Sequence, residues 1–436
     1  MADEARHRAP DPQVRRIVVH VGAPKTGTTG VQDTLWRNRD VLAAHGVHYP
    51  ADRFDEHFLA ALDLQHLTWG GLEREAVGVL DRLVDRVNRL EGVVVLSHEV
   101  FAAASAEQAK RLLSSLDGEV HLVFSVRELA RQIPAEWQEL VKHRRQLTYA
   151  EFLDDLTSES PTLAATSWFW SVQHWPEVLE RWGATLPPQQ VHLVTVPRPG
   201  GDRQVLVERF WSLFGVRSDW LTEESPRTNT SLDGPAATAL RRLNGRLPGD
   251  RLASRHYRPL VREAIVHRGL AGRAGKPRIT LPASLTEWAD TLTQDWITQV
   301  QQRGYDIVGD LAELVAESDS NGWDDPDQVG PKQLLEAAES MLDLAVLEGS
   351  DLFDQRESAR GDADAMAVER DNARAEAERL AAELAWVRRH PGAYVKRWVV
   401  DNSSSNRGLE AGLGLYRAVR RVSGRAPTEK PADDVR

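Results

Sequence analysis

The chain reads Ile17-Val18-Val19-His20-Val21 and continues directly into Gly22-Ala23-Pro24-Lys25-Thr26-Gly27-Thr28-Thr29. The apolar run predicts a buried strand, and residues 31–36 have the pattern of a helix. A glycine-bearing loop between a strand and a helix can cradle phosphate, because backbone N–H groups and the positive end of the helix dipole face the anion. Lys25 adds a full positive charge. The stretch therefore predicts a site for a nucleotide phosphate.

The position of the lysine separates this loop from the ATP-binding type. A Walker A loop reads GxxxxGK[ST], with lysine directly after the second glycine. Here Thr28 holds that place, and Lys25 precedes Gly27 by two residues. The order resembles PKxGTT, the 5′-phosphosulfate loop of sulfotransferases that use 3′-phosphoadenylyl sulfate (PAPS). The resemblance implies that Lys25 reaches the bridging or leaving oxygen of the donor, while Thr26, Gly27, Thr28 and Thr29 hold its 5′-phosphate. A plain strand-to-helix turn with threonine caps is the alternative.

The bulk composition is that of a globular protein. The 436 residues are 41% hydrophobic and 27% charged, enough for one large core domain and a smaller appendage. The chain has no cysteine, which excludes disulfides, thiolate metal sites and cysteine nucleophiles. The first fifteen residues lack the apolar segment of a secretory signal, so we expect a cytoplasmic protein. A net charge of −11 argues against nucleic-acid binding.

Four runs rich in β-branched residues predict strands, at residues 17–21, 93–97, 120–126 and 191–196. Segments with helical periodicity separate them, an alternation typical of an α/β fold with a central parallel sheet flanked by helices. Ligands in that architecture bind at the carboxyl ends of the strands. We expect a disordered lead-in over residues 1–14 and a catalytic domain over residues 15–317.

The last part of the chain has a different character. We expect an acidic linker over residues 318–330, a helical or coiled-coil extension over 331–389 and a basic, partly disordered tail over 390–436. A heptad-like series predicts a helical hairpin or short coiled coil that can self-associate; it comprises Met366, Ala373, Ala377, Leu380, Leu384 and Val387. For the basic tail, the alternatives are a solvated surface helix, pairing with the acidic stretch, or contact with a membrane surface or acidic partner.

Ser97-His98-Glu99 forms a second element, where a predicted strand ends. An acceptor hydroxyl is a poor nucleophile and needs a base within hydrogen-bond distance. Glu99 after a strand and a serine resembles bacterial and carbohydrate-type sulfotransferases, whereas His98 at such a strand end resembles the cytosolic small-molecule enzymes. We expect Glu99 as the base, with His98 as the second candidate. A structural histidine and a helix-capping glutamate are the alternative.

Arg127 ends the third predicted strand and precedes a helix. A guanidinium there can bind an anion in a bidentate manner at the ligand edge of the sheet. The position resembles the 3′-phosphate motif of sulfotransferases, an arginine followed eight residues later by serine. Ala135 stands in place of that serine, which is a departure from the family pattern. A surface ion pair with Glu128 or Glu99 is the alternative for Arg127.

A fourth candidate is the stretch RTNTSL at residues 227–232. Sulfotransferases commonly close the nucleotide site with a later basic loop, and Arg227 or Asn229 fits that part. Asn, Thr and Ser before a helix are also ordinary caps, which is the alternative for these residues.

Together these elements resemble the PAPS-dependent sulfotransferases, in particular bacterial and carbohydrate-type members, over about residues 15–315. The resemblance implies a fold related to P-loop kinases, no metal, and transfer of a sulfuryl group to a hydroxyl or amine by in-line displacement. Lys25, Glu99 and His98 are then catalytic, and Ser97, Arg127 and Arg227 join the loop in binding PAPS or its product, adenosine 3′,5′-bisphosphate. The alternatives are a P-loop small-molecule kinase and a catalytically degenerate scaffold of the same fold.

The acceptor class stays open among carbohydrates, glycolipids and small metabolites. Acceptor pockets in the folds that the chain resembles are built from variable helices and loops, which here correspond to residues 52–69 and 149–175. Aromatic side chains in these segments can line a sugar or lipid-head pocket or simply form core. These aromatic residues are Phe54, Phe58, Trp69, Tyr149, Phe152, Trp168, Phe169 and Trp170.

Overall fold

The computed structural model describes residues 15–223, 225, 231–270, 278–316, 324–402 and 406–422. The chain divides into two compact units, Met1–Glu348 and Gly349–Arg436. The first unit contains a six-stranded sheet covered by helices, and the described residues of the second unit are almost all helical. No helix among the described residues is both long enough and apolar enough to cross a membrane.

Six parallel strands form the sheet, in the order β2-β3-β1-β4-β5-β6. The strands are β1 Arg16–Gly22, β2 Val47–His48, β3 Val93–Ser97, β4 Glu119–Val126, β5 Val191–Thr195 and β6 Asp306–Val308. The predicted α/β fold with a central parallel sheet flanked by helices is confirmed. The four longer strands coincide with the four predicted ones, and the two short edge strands had not been predicted.

The α-helices of the first unit surround this sheet. They are α1 Thr28–Arg37, α2 Arg39–Ala44, α3 Glu56–Gln65, α4 Glu73–Ala76, α5 Val79–Val87, α6 Ala106–Ser114, α7 Leu129–Lys142, α8 Tyr149–Leu156, α9 Ala164–Gln173, α10 Trp175–Gly183, α11 Arg203–Phe214, α12 Gly234–Arg246, α13 Ser254–Tyr257 and α14 Ala283–Arg303. Single turns of 3₁₀-helix occur at Glu99–Ala103, Pro188–Gln190, Ser218–Trp220 and Leu311–Leu314, and Arg258–Gly269 is a π-helix.

Alternate residues of the strands belong to two separate hydrophobic cores, because successive side chains point to opposite faces of a sheet. Val18 and its neighbours on one face pack against the apolar sides of α1, α2 and α11. Ile17 and Val19 on the other face join a larger core that includes α3, α5, α7, α9, α10 and α14. The strands are therefore buried on both sides, which explains their nearly continuous apolar sequences.

The strand order brings three predicted site elements to one edge of the sheet. β1 lies in the middle, paired with β3 on one side and β4 on the other. His20 pairs with Ser97, and Gly22 pairs with Phe124 after a register shift. The loop after β1, the residues after β3 and the residues after β4 consequently leave the sheet side by side, at its carboxyl edge.

The described residues after 330 contain three further helices: α15 Pro331–Arg389, α16 Pro391–Asn402 and α17 Arg407–Val422. α15 is continuous over 59 residues, so the predicted helical hairpin does not form within it. It ends at Arg389, directly before His390-Pro391, where the sequence predicts a stop. The heptad residues Met366, Leu380 and Leu384 are exposed, and their pairing with another helix stays a prediction.

Candidate functional site

The loop after β1 presents a row of backbone donors. Gly27, with a φ of 89°, is the residue from which α1 begins. None of the backbone N–H groups of residues 25–29 donates a hydrogen bond to another described group. Unbonded N–H groups at a helix N-terminus, reinforced by the helix dipole, favour a bound anion. The loop thus has the donors that a phosphate group requires.

Two residues of this loop adopt left-handed backbone conformations. Gly27 combines its positive φ with a close neighbour, since a Cβ atom there would lie 2.9 Å from the Leu206 Cδ2 atom of α11. Lys25 has a φ of 65°, which for a residue other than glycine costs about 1–2 kcal/mol. Backbone strain that persists in a loop of this kind favours a functional role for the lysine.

The threonine hydroxyls of the loop have different partners. The Thr26 hydroxyl is buried, donates to the Ala23 carbonyl oxygen at 2.6 Å and lies 2.6 Å from the Ser125 hydroxyl. The Thr28 hydroxyl donates to Glu99 Oε2 at 3.3 Å. The Thr29 hydroxyl makes no hydrogen bond to a described group. Of the three, Thr29 is therefore the one whose hydroxyl needs no rearrangement to meet a ligand.

Lys25 forms an ion pair that the sequence had not indicated. Its Nζ atom donates to Glu139 Oε2 of α7 at 2.5 Å. The same carboxylate lies 3.1 Å from Arg262 Nη2, 3.1 Å from His143 Nε2 and 3.7 Å from Lys142 Nζ. Glu139 is thus the shared counter-ion of a cationic cluster beside the loop.

Burial and charge shift the titration of this cluster. Burial alone raises the pKa of Glu139, but Lys25, His143 and Lys142 outweigh it and hold the pKa well below its usual range. Burial lowers the pKa of Lys142 to about 8 despite the nearby Glu139. Burial also lowers the pKa of His143. Glu139 is therefore ionised at neutral pH and His143 is mostly neutral.

The carbonyl oxygen of Pro24 is held by two helices. Gln132 Nε2 of α7 donates to it at 2.8 Å, and Gln173 Nε2 of α9 donates to it at 3.3 Å. Both amide groups also donate to Glu136 Oε1, at 3.3 and 3.1 Å. Burial raises the pKa of Glu136 to about 7, against the opposing positive charge of Lys25. This network fixes the peptide directly before Lys25.

Glu99 contacts the helix that follows the loop. Its Oε2 atom accepts hydrogen bonds from Gln32 Nε2 at 3.0 Å and from the Thr28 hydroxyl. Burial raises the pKa of Glu99, but His98, the Gln32 amide and His20 together outweigh burial and lower it overall. A carboxylate ionised at neutral pH therefore lies beside the first turn of α1.

His98 is directed to other partners. Its Nδ1 atom accepts a hydrogen bond from the Val100 backbone N–H at 3.1 Å, and its ring packs against Phe58 at 5.0 Å between centroids. Burial lowers the pKa of His98, so the ring is neutral and carries its proton on Nε2. The free lone pair that a general base needs is consequently occupied by the Val100 N–H. The two candidates for the base are thus chemically distinct.

Ser97 lies inside a buried polar chain. Its hydroxyl is 2.7 Å from His20 Nδ1 and accepts from Gln32 Nε2 at 3.4 Å, while its backbone N–H donates to His57 Nδ1 at 3.2 Å. Burial lowers the pKa of both histidines to about 4, so both rings are neutral. Ser97 has no exposed surface, and its expected contact with a donor stays a prediction.

Arg127 follows β4 directly and bonds into the start of α7. Its Nε atom donates to Gln132 Oε1 at 3.0 Å, and its Nη2 atom donates to the Arg131 carbonyl oxygen at 3.0 Å. No described carboxylate lies within ion-pair distance of it. Burial, and next Arg131, lower the pKa of Arg127 to about 9. Because no described carboxylate neutralises this buried guanidinium, an anionic ligand beside it would be favourable. Ala135, at the missing-serine position, lies half-buried in α7.

Hydrogen bonds join the three predicted elements, directly in one case and through a bridging side chain in the other. The Thr28 hydroxyl links the loop to Glu99, and Gln132 links Arg127 to the carbonyl oxygen of Pro24. The sequence motifs had not indicated the side of the site that α7 forms. Residues 136, 139, 142 and 143 have the spacing of one helical face, which is the signal that could have found them.

A band of aromatic rings borders this cluster. Phe58 packs against Trp69, and Trp69 packs against both His143 and Trp168, with centroids 5.7–5.8 Å apart. Among the other predicted pocket aromatics, three are fully buried core residues: Tyr149, Phe152 and Phe169. Phe54 packs against Trp36, and Trp170 packs against Trp288 and Trp296.

Arg227 and Asn229 lie outside the described residues. Within the part of the chain that the structure describes, no group of three or more His, Cys, Asp or Glu side chains has an arrangement that could hold a metal ion.

Comparisons with known proteins add a distant likeness. No protein-family model matches the sequence, and no curated protein matches it. Among solved structures, a sulfotransferase from Alicyclobacillus acidocaldarius is similar, with 18% sequence identity and a TM-score of 0.34. The similarity covers 57% of this chain and 95% of that chain. At so low a TM-score the function has to be argued from the residues of the site.

Proposed function

We propose that this protein is a sulfotransferase that uses PAPS as its donor and a hydroxyl or amine of a carbohydrate, glycolipid or small metabolite as its acceptor. The observation that carries the proposal is the loop GAPKTGTT. Its residues 25–29 leave their backbone N–H groups unbonded at the start of α1, and its lysine precedes the second glycine. The cytoplasmic location expected from the sequence stays a prediction.

The residues at the sheet edge fit a nucleotide with two phosphate positions. The N–H groups of residues 25–29 and the Thr29 hydroxyl bind the 5′-phosphosulfate, and Arg127 binds the 3′-phosphate. When bound, PAPS supplies a sulfuryl group that is activated by its anhydride bond to phosphate. Lys25 stabilises the negative charge that develops on the leaving oxygen, a contribution that is largest where water is excluded.

Glu99 acts as the general base that removes the proton of the acceptor. Its carboxylate is ionised at neutral pH and is oriented by Gln32 and Thr28, both on the helix that begins at the loop. His98 is the alternative base, but its Nδ1 lone pair already accepts from the Val100 N–H. The contrast favours Glu99.

Aromatic rings near Lys25 favour an acceptor with flat apolar faces and hydroxyl groups. Phe58, Trp69 and Trp168 form a contiguous band that reaches His143, the partner of Glu139. Sugar rings pack well on such surfaces because one face of a sugar is apolar. A carbohydrate-containing acceptor is therefore our first choice among the classes that the sequence leaves open.

Isothermal titration with adenosine 3′,5′-bisphosphate, AMP, ATP and GTP tests the donor assignment. We expect the bisphosphate to bind without magnesium and more tightly than AMP. The Arg127→Ala variant should lose that preference, whereas Arg145→Ala, a matched loss of an exposed arginine, should retain it. Binding of ATP with magnesium alone would instead identify a small-molecule kinase and overturn the proposal.

Transfer itself is tested with PAPS and a panel of glycans and small hydroxylated metabolites, read by mass spectrometry. We expect a mass increase for at least one acceptor, its loss in Lys25→Ala and Glu99→Ala, and its retention in His98→Asn, which preserves the cap but removes the imidazole. A wild-type protein that binds the bisphosphate but sulfates nothing in a broad panel would favour the scaffold alternative.

A further inference from the structure

Helices α16 and α17 in the second unit expose apolar stripes. On α16, Tyr394, Val395 and Trp398 have the spacing of one helical face, and each is at least 40% exposed. On α17, exposed apolar side chains follow the same periodicity; they are Leu415, Tyr416, Val419 and Val422. The two helices contact each other, and the stripes remain accessible within the unit.

The same segment is strongly basic in an acidic protein. Residues 388–422 contain eight Lys and Arg residues against two acidic ones, whereas the whole chain has a net charge of −11. The basic residues are Arg388, Arg389, Lys396, Arg397, Arg407, Arg417, Arg420 and Arg421. Several directly neighbour the exposed apolar residues in sequence: Lys396 and Arg397 precede Trp398, and Arg417 follows Tyr416.

Apolar stripes flanked by arginine and lysine, with Trp and Tyr among the exposed residues, are the features of helices that lie in a membrane interface. Aromatic rings prefer the headgroup level, where one end of the ring is apolar and the other is hydrated. Long basic side chains reach from there to lipid phosphates. A self-association surface would bury these residues against copies with the same positive charge, which is unfavourable.

From this combination we infer that α16 and α17 bind the surface of a membrane that contains anionic lipids. The exposed apolar stripes insert into the headgroup region of the membrane, and the arginines bind the phosphates of the lipids. The inference rests only on residues of α16 and α17, so it is independent of the proposed enzymatic activity.

Co-sedimentation of the full-length protein with lipid vesicles tests the inference. The probes are vesicles of phosphatidylcholine alone and of phosphatidylcholine mixed with phosphatidylglycerol. We expect binding to the mixed vesicles, little binding to the neutral ones, and weaker binding as the salt concentration rises. Equal binding to both vesicles, or binding to neither, would overturn the inference.

Two sets of variants separate the charge from the apolar stripes. Charge reversal at Arg417, Arg420 and Arg421 should lower partitioning by at least about 100-fold, and the double variant Trp398→Ser/Tyr416→Ser should also lower it. The matched control reverses three exposed arginines on α15, namely Arg370, Arg374 and Arg379, and should bind nearly as wild type.

Circular dichroism and sedimentation velocity complete the design. If the substitutions leave the helix content unchanged, a loss of vesicle binding is due to the altered surface and not to unfolding. A control variant that loses as much binding as the charge reversal would indicate a response to net charge and contradict the inference. Dimers that disappear in the Trp398→Ser/Tyr416→Ser variant, with no vesicle binding by the wild type, would identify a self-association surface instead.

Discussion

The ion pair between Lys25 and Glu139 leads to a prediction with two readouts of opposite sign. In the structure the lysine that we assign to the donor is already bound to a carboxylate, at 2.5 Å. We consider the isosteric change Glu139→Gln, which removes the charge and keeps the side-chain volume. It should release Lys25 for an anionic ligand and, at the same time, destabilise the cationic cluster around it.

The magnitudes follow from the burial of the pair. At an effective dielectric constant of about 20, the Coulomb attraction at this distance is on the order of 6 kcal/mol, and desolvation offsets most of it. The two side chains are 23% and 15% exposed, so we expect a net coupling of about 1.5 kcal/mol. Release of Lys25 should therefore tighten binding of adenosine 3′,5′-bisphosphate by roughly tenfold.

Stability should change in the other direction. Lys142 and Arg262 lose the carboxylate that they share with Lys25. Removing one partner from such a partly buried cluster costs about 2–4 kcal/mol in the free energy of unfolding. Urea denaturation measures this loss, and isothermal titration measures the affinity.

The matched control is Glu107→Gln, an exposed glutamate of α6 with the same change of charge. It should alter neither quantity by more than about 0.5 kcal/mol. Bisphosphate affinity that is unchanged or weaker in a folded Glu139→Gln protein would refute the reasoning, because Glu139 would then orient Lys25 for the ligand rather than compete with it.

Three other changes have defined outcomes. Glu99→Gln should lower kcat by about 10²–10⁴-fold with bisphosphate affinity nearly unchanged, because it removes only a proton acceptor; parallel loss of affinity would contradict this. Gly27→Ala should lower the unfolding free energy by about 2 kcal/mol and weaken bisphosphate binding, owing to its φ of 89° and the nearby Leu206. Its control is Gly30→Ala, where a Cβ atom meets nothing within 4 Å. Burial lowers the pKa of His20 from 6.5 to about 4, so the unfolded chain binds the extra proton between those values and stability should fall by about 3 kcal/mol as the pH drops through them. Urea midpoints across this range should be less pH-dependent in His20→Asn, and an equal slope in both proteins would disprove the assignment.

The sequence predicted the sheet well where strands are buried on both faces. The four longer strands have continuous apolar runs because helices cover both sides, and that pattern is visible in the sequence. β2 and β6 have only two and three residues, and each pairs with one neighbour. These short segments become strands because they pair with the rest of the sheet, and a local sequence pattern contains no information about that pairing.

The part of the candidate site formed by residues that follow the strands was predictable, and the part formed by α7 was not. The loop, Glu99 and Arg127 each follow a recognisable strand, so sheet topology alone brings them together. The Lys25–Glu139 pair joins residues 114 positions apart, and Arg262 comes from a further 123 positions along the chain. Such convergence depends on how α7 packs against the π-helix, which no short motif specifies.

The hydrogen bonds to the carbonyl oxygen of Pro24 have a thermodynamic consequence. Gln173, which makes one of them, is the last residue of α9, the helix that carries Trp168 of the aromatic band. A ligand that shifts α9 therefore also alters the peptide next to Lys25. If binding of such a ligand changes the affinity of the loop for the proposed nucleotide by some factor, the nucleotide changes the affinity for that ligand by the same factor. The product of the two stepwise binding constants is therefore the same whichever ligand is added first.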